Sequence, residues 1–177
     1  MRRLFPLVIL LTTTLVVTES LAAGRLELHD DRHALAGAAA LHDVIDQDPL
    51  EPVFWVEYRL PWRRWTLRPD VGTLVMTSGG WQVWAGIRSE LVPKALPIWW
   101  AITTNIGHYR RGGGPLLGHR LEFRSGFEMY GSLNREWALG LTFHHLSNAS
   151  VGRRNPGTEI LSLVVTRSWP RRADRLR

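Results

Sequence analysis

The sequence contains no cysteine, so disulfide cross-links and a cysteine-linked lipid anchor are excluded within its 177 residues. Small exported domains often rely on disulfides. An exported chain without them needs another source of stability, and closing a sheet into a barrel supplies one. Lysine is nearly missing as well. Lys94 is the only one, so almost all of the 22 basic side chains are arginine. Long apolar runs are also scarce. The one that exists, Leu4 to Val17, is shorter than the roughly 20 residues a spanning helix needs. It follows the basic pair Arg2 and Arg3 and precedes Ser20, Leu21 and Ala22, a small-x-small cleavage pattern. Residues 1–22 are therefore expected to be a signal peptide. Nothing after Ala23 offers a second spanning helix.

Removing Arg2, Arg3 and Glu19 with that peptide lowers the formal charge from +6 to +5. Nucleic acid is one partner for a basic chain, but export argues against it. Arginine suits bidentate pairing with phosphate or carboxylate, and lipopolysaccharide phosphates fit an exported protein. Solvated loops and interior ion pairs account for most of these arginines.

Along the chain, residues 23–33 read as a polar lead-in, residues 34–169 as one β-domain and residues 170–177 as a basic tail. Eight strands are expected, at about 34–42, 53–60, 65–76, 80–90, 97–107, 118–130, 135–147 and 157–169. The first is rich in alanine, and a helix competes there. The clearest is the sixth. Leu121, Phe123, Phe127 and Met129 stand on one face, broken only by Ser125. Arg120, Glu122, Arg124, Gly126, Glu128 and Tyr130 stand on the other.

A soluble sandwich would expose that charged face to water, whereas a small membrane barrel would turn it inward as paired ions. Three features favour the membrane. The strands run near the length a tilted strand needs to cross. There are nine tryptophans, and Trp62, Trp65, Trp99, Trp100, Trp137 and Trp169 lie where strands would end, as in an interfacial aromatic belt. Short and longer connections largely alternate. The expected fold is an all-β, eight-stranded antiparallel transmembrane β-barrel. Gly112 to Pro115 lacks the lysine and flanking strand and helix of a phosphate-cradling motif, and reads as a flexible loop.

Chemistry-bearing residues concentrate in the last hairpin. If the seventh and eighth strands pair around Gly152, His145 faces Glu159, and Ser147 shares their face. Directly opposed residues have Cβ atoms about 5 Å apart, so a carboxylate there can orient an imidazole. The same face carries Leu139, Leu141, Phe143, Leu161 and Leu163, so a membrane barrel would present these polar groups to lipid, where they are costly and suggest function. His144 points to the other face. His42, His108 and His119 fall near loops, and no metal-ligand cluster is evident. Asn148 and Asn155 are candidates for oxyanion stabilisation or turn support, and backbone N–H groups of the loop are the alternative.

The run Phe143-His-His-Leu-Ser-Asn-Ala149, followed by Asn155-Pro-Gly-Thr-Glu159, resembles the outer-membrane lipid A 3-O-deacylase (PagL-like) family. A weaker likeness is Ala38-Ala-Ala-Leu-His-Asp43, similar to the family's first strand. The resemblance implies an outer-membrane location and lipopolysaccharide as substrate. It implies a serine esterase that removes the 3-O-linked acyl chain of lipid A, with Ser147 as nucleophile, His145 as general base and Glu159 orienting the base. No cofactor or metal is expected. No oligomeric state is set, and a homodimer is compatible. The competing readings are a non-enzymatic outer-membrane structural or adhesion protein and a soluble exported barrel with an apolar ligand inside.

Overall fold

A computed structural model describes residues 26–27, 32–46, 50–62, 64–93 and 96–170. The expected signal peptide, most of the lead-in and the tail beyond Pro170 lie outside the described residues. Eight strands form the barrel: β1 (His33–His42), β2 (Glu51–Arg59), β3 (Leu67–Met76), β4 (Trp81–Pro93), β5 (Ile98–Arg110), β6 (Leu121–Ser132), β7 (Trp137–Ser147) and β8 (Thr158–Trp169). Each pairs antiparallel with its sequence neighbours, and β1 pairs with β8, so the sheet closes on itself. Within the lead-in, Leu26–Glu27 pairs with Val92 and Pro93 at the end of β4. The start of β1, the end of β8 and the connections after β2, β4 and β6 share one end of the barrel (the terminal end). The segments after β1, β3, β5 and β7 share the other (the loop end).

The alanine-rich segment is a strand, because pairing on both sides outweighs a helix preference of a few tenths of a kcal/mol per residue. Its small side chains are also what the interior needs. Ala38 is paired with Trp55 on β2, and Ala40 with Ser162 on β8. The Trp55 indole passes over β1 and donates its N–H to Ser162 Oγ at 2.9 Å. A larger residue on β1 would stand in its way.

Alternation sends the charged faces inward. Arg88 meets Glu57 at 2.6 Å, Glu128 at 2.5 Å and Glu90 at 2.9 Å. Arg59 meets Glu57 at 3.0 Å and donates to Tyr130 Oη at 2.5 Å, and that hydroxyl donates to Glu128 at 2.8 Å. Arg124 donates to His144 Nδ1 at 3.1 Å, so the ring proton sits on Nε2, 3.1 Å from Glu128. Arg88, Glu57, Glu128 and His144 are wholly buried. Glycine provides the clearance for these large groups. A Cβ at Gly140 would lie 2.3 Å from the Tyr130 ring, and one at Gly126 would lie 2.3 Å from the His144 ring.

The outer wall is apolar. Phe54, Val75, Ile106, Phe127, Leu141 and Leu163 are all exposed, which in a closed barrel of strands 9–13 residues long is a lipid-facing band. No helix among the described residues is long and apolar enough to cross a membrane. Of the six tryptophans expected in a belt, Trp62, Trp65 and Trp137 are exposed. Trp99 is a correction. It is buried in the lumen and stacks on Tyr130 with ring centroids 4.0 Å apart. Trp99 and Trp100 are adjacent, so alternation must turn one of them inward.

The glycine-rich loop after β5 is packed across the loop end. Gly112 has φ +57°, and any Cβ there would strike the Gly80 backbone. The Gly113 N–H donates to Ser78 O at 3.1 Å, and Leu117 of the same loop is buried.

Glu128 is the acceptor on which Arg88, Tyr130 and His144 converge. Glu128→Ala is expected to destabilise the barrel by about 3–5 kcal/mol, because it removes one of the three carboxylates around the buried Arg88 guanidinium and the acceptor of the Tyr130 hydroxyl and the His144 Nε2–H. Urea unfolding in lipid vesicles, followed by tryptophan fluorescence, measures this. An unchanged midpoint would refute the assignment.

Candidate active site on the outer wall

β7 and β8 pair in the register expected from the sequence. His145 is opposite Glu159, Phe143 opposite Leu161 and Leu141 opposite Leu163. His145 Nδ1 lies 2.9 Å from Glu159 Oε1, with the two side chains 44% and 15% exposed. The pair therefore sits on the outer wall, near its loop end, with Leu141, Phe143, Leu161 and Leu163 below it. A carboxylate only accepts, so Nδ1 carries the proton and Nε2 keeps its lone pair.

Ser147 closes β7 on the same face and is half-buried, paired with Phe123 on β6. Among the described residues its hydroxyl makes no hydrogen bond. The structure thus brings histidine and glutamate into contact and leaves serine beside them. A nucleophile–base hydrogen bond is often loose until substrate binds. Ser125, which interrupts the apolar face of β6, is opposite His145 and exposed. It is a second hydroxyl beside the imidazole.

Three bracing residues were not identified from the sequence. Asp43, with φ +62°, follows β1 and donates its N–H to the Glu159 carbonyl at 2.7 Å. Its carboxylate accepts from the Thr158 hydroxyl at 3.2 Å. Thr158 pairs with Leu146 beside the His145–Glu159 pair. Gly157, with φ +77°, lies against the imidazole; a Cβ there would be 2.8 Å from Cε1 and 3.3 Å from Nε2 of His145. Asp43 becomes visible only once β1 is joined to β8. Gly157 reads in sequence as the second half of a Pro-Gly turn.

Asn148 and Asn155 act on the loop between β7 and β8. Asn148 is buried and gives both amide protons away, to Leu117 O at 2.8 Å and Arg154 O at 2.7 Å. Asn155 Oδ1 accepts the Asn148 N–H at 2.9 Å. The next two residues, Ala149 and Ser150, have φ of 51° and 66°, an uncommon pair for non-glycine residues. The turn closes with Val151 N–H on Asn148 O at 2.9 Å. The N–H groups of Ala149 and Ser150 have no acceptor among the described residues. Among the described residues no group of three or more His, Asp or Glu is arranged to hold a metal ion.

The model of the family described as "Lipid A 3-O-deacylase (PagL)" matches residues 50–168. No curated protein matches the sequence. Among solved structures, the chain is similar to "the outer membrane enzyme PagL" at 18% identity and a TM-score of 0.57, covering 75% of this chain and 97% of that one. Neisserial surface protein A (NspA) is similar at 12% identity and a TM-score of 0.57, covering 79% and 98%. A de novo designed transmembrane β-barrel is similar at 10% identity and a TM-score of 0.54, covering 81% and 99%. At these identities the structural likenesses establish the fold, that of outer-membrane barrels.

Gly157→Ala is expected to cost about 1–2 kcal/mol in backbone strain and to push the imidazole off Glu159. The downfield proton resonance of the His145–Glu159 hydrogen bond should shift or vanish while the barrel still folds. An unchanged resonance would show that the imidazole does not need the glycine.

Proposed function

The chain belongs to the lipid A 3-O-deacylase (PagL) family, and on that premise we propose that it is an outer-membrane serine esterase that hydrolyses the 3-O-linked acyl chain of lipid A. The observation that carries this reading is the His145–Glu159 pair at 2.9 Å on a lipid-facing wall, with Ser147 two residues along the same face. In outer-membrane barrels short turns face the periplasm and longer loops face outward. The loop end then lies at the outer leaflet, where lipopolysaccharide resides. Substrate approaches sideways through the leaflet, and its acyl chains lie along Leu141, Phe143, Leu161 and Leu163.

Ser147 Oγ attacks the ester carbonyl, and His145 Nε2 takes the hydroxyl proton as the new C–O bond forms. Glu159 holds the ring through Nδ1–H and stabilises the imidazolium. The oxyanion of the tetrahedral intermediate accepts from the Ala149 and Ser150 N–H groups. Asn148 supports these donors by fixing the loop to Leu117 and Arg154, and Asn155 by accepting the Asn148 N–H. Collapse of the intermediate breaks the bond to the sugar 3-oxygen, which takes the proton from Nε2. Water then attacks the acyl-serine with Nε2 as base, and the fatty acid leaves.

Release of the hydroxy fatty acid from lipid A by the purified, refolded barrel tests these roles. Ser147→Ala and His145→Ala are each expected to lower the rate by on the order of a thousandfold or more, and Glu159→Ala by less. Ser125→Ala should keep near-normal activity. Activity that survives Ser147→Ala but not Ser125→Ala would move the nucleophile to β6.

A further inference from the structure

Among the described residues, the arginines at the loop end lie at and after the end of β5 and on the loop after β7, and none on the segments after β1 and β3. Arg110, Arg111, His119 and Arg120 cluster on the end of β5 and the loop that follows it, and Arg153 and Arg154 on the loop after β7. On the other side of Glu159, the segment after β1 carries Asp43 and Asp46, and β2 opens with Glu51. Around the barrel the order is β5, β6, β7, β8, β1. Ser147 on β7 therefore lies between a basic flank and an acidic one.

The basic flank is a shaped cleft. It has a volume of about 990 Å³ and is lined by Trp81, His108, Arg110, Arg111, His119 and Arg120 among others. The Trp81 and His108 rings form one wall, with centroids 5.4 Å apart. His119 Nδ1 accepts the Leu121 N–H at 2.9 Å, so the ring carries an Nε2 proton when neutral. Among the described residues, Arg110, Arg120, Arg153 and Arg154 form no salt bridge. The exposed guanidiniums of Arg110 and Arg120, both lining this cleft and without a carboxylate, are arranged for an oxyanion from outside the chain.

The cleft is tied to the candidate active site. His108 pairs with Leu121, and Phe123, two residues further on β6, pairs with Ser147. Two strand spacings of about 4.8 Å separate β5 from β7, so the cleft begins roughly 10 Å from Ser147 across the sheet. Asn148 joins the two basic loops by donating to Leu117 O and to Arg154 O. Phosphate bound in this cleft and an ester at Ser147 are thus held at a fixed separation.

We infer that this cleft is a phosphate subsite for the sugar-phosphate head of the glycolipid, with Arg110 and Arg120 as its principal ligands and His119 as a further donor. The inference rests on the reading of the site as a lipid A esterase and adds an orientation to it. The phosphorylated sugar points toward β5, and the acidic flank at β1 repels the opposite placement. Head-group charge then contributes to substrate choice.

The test uses the refolded full-length barrel carrying Ser147→Ala, titrated with diphosphorylated lipid A and with phosphate-free lipid A in the same micelles. The phosphorylated lipid is expected to bind at least about tenfold tighter, since each charge-assisted pair is worth roughly a factor of ten. Adding Arg110→Gln and Arg120→Gln should bring the ratio of the two affinities close to one. Lysine at both positions should restore part of it. No preference in the Ser147→Ala protein, a preference untouched by the double glutamine variant, or equal competition by phosphatidylglycerol vesicles would each overturn the subsite. With Ser147 intact, the preference should appear in KM. Preference without hydrolysis would count against the esterase and leave the subsite standing; hydrolysis without preference would do the reverse.

Discussion

Closure of the sheet between β1 and β8 is the constraint on which the other features depend. A strand in hydrocarbon cannot leave a row of backbone N–H and C=O groups unpaired, because each unsatisfied group costs several kcal/mol. The ten residues of β1 meet that demand on both sides, pairing with β2 and with β8 along their length. The same seam brings Asp43 to the Glu159 carbonyl and the Thr158 hydroxyl. The pairing that removes the sheet edge also fixes the carboxylate that holds His145.

Closure with period-two alternation divides the side chains into two populations. Those facing inward include Arg59, Arg88, Arg124, Glu57, Glu128 and His144, all wholly or almost wholly buried. They are tolerable only as a mutually satisfied network. Those facing outward are mostly apolar. His145, Glu159, Ser147 and Ser125 form a small polar island on an apolar wall. A pocket inside this barrel could not serve a two-dimensional substrate pool, since ion pairs and aromatic rings fill the lumen. A site on the wall is open to the leaflet directly.

Much of this was legible in the sequence because alternation is a strict signal. Placing the turn near Gly152 sets the whole β7–β8 register, and His145 opposite Glu159 follows from counting. The charged face of β6 was assigned inward for the same reason. What could not be read were contacts that depend on closure or on three dimensions. Trp99 appeared to belong to an interfacial belt because sequence shows position along a strand more readily than face when two tryptophans are adjacent. Asp43 lies more than 100 residues from Glu159, and only the β1–β8 seam joins them. The sequence left Asn148 open between oxyanion donor and turn support, and its amide protons are used to pin the loop. The Gly112–Gly114 stretch looked flexible, yet its lack of side chains is what lets it lie against Gly80.

The central claim is that the wall-mounted serine, histidine and glutamate cleave the 3-O-acyl chain of lipid A in the membrane itself. Mass spectrometry of lipid A from a Gram-negative host producing the protein tests it most directly. The account predicts that the lipid A ion shifts down by the mass of one hydroxyacyl chain. An unshifted spectrum, with the folded barrel shown to be in the outer membrane, would contradict it.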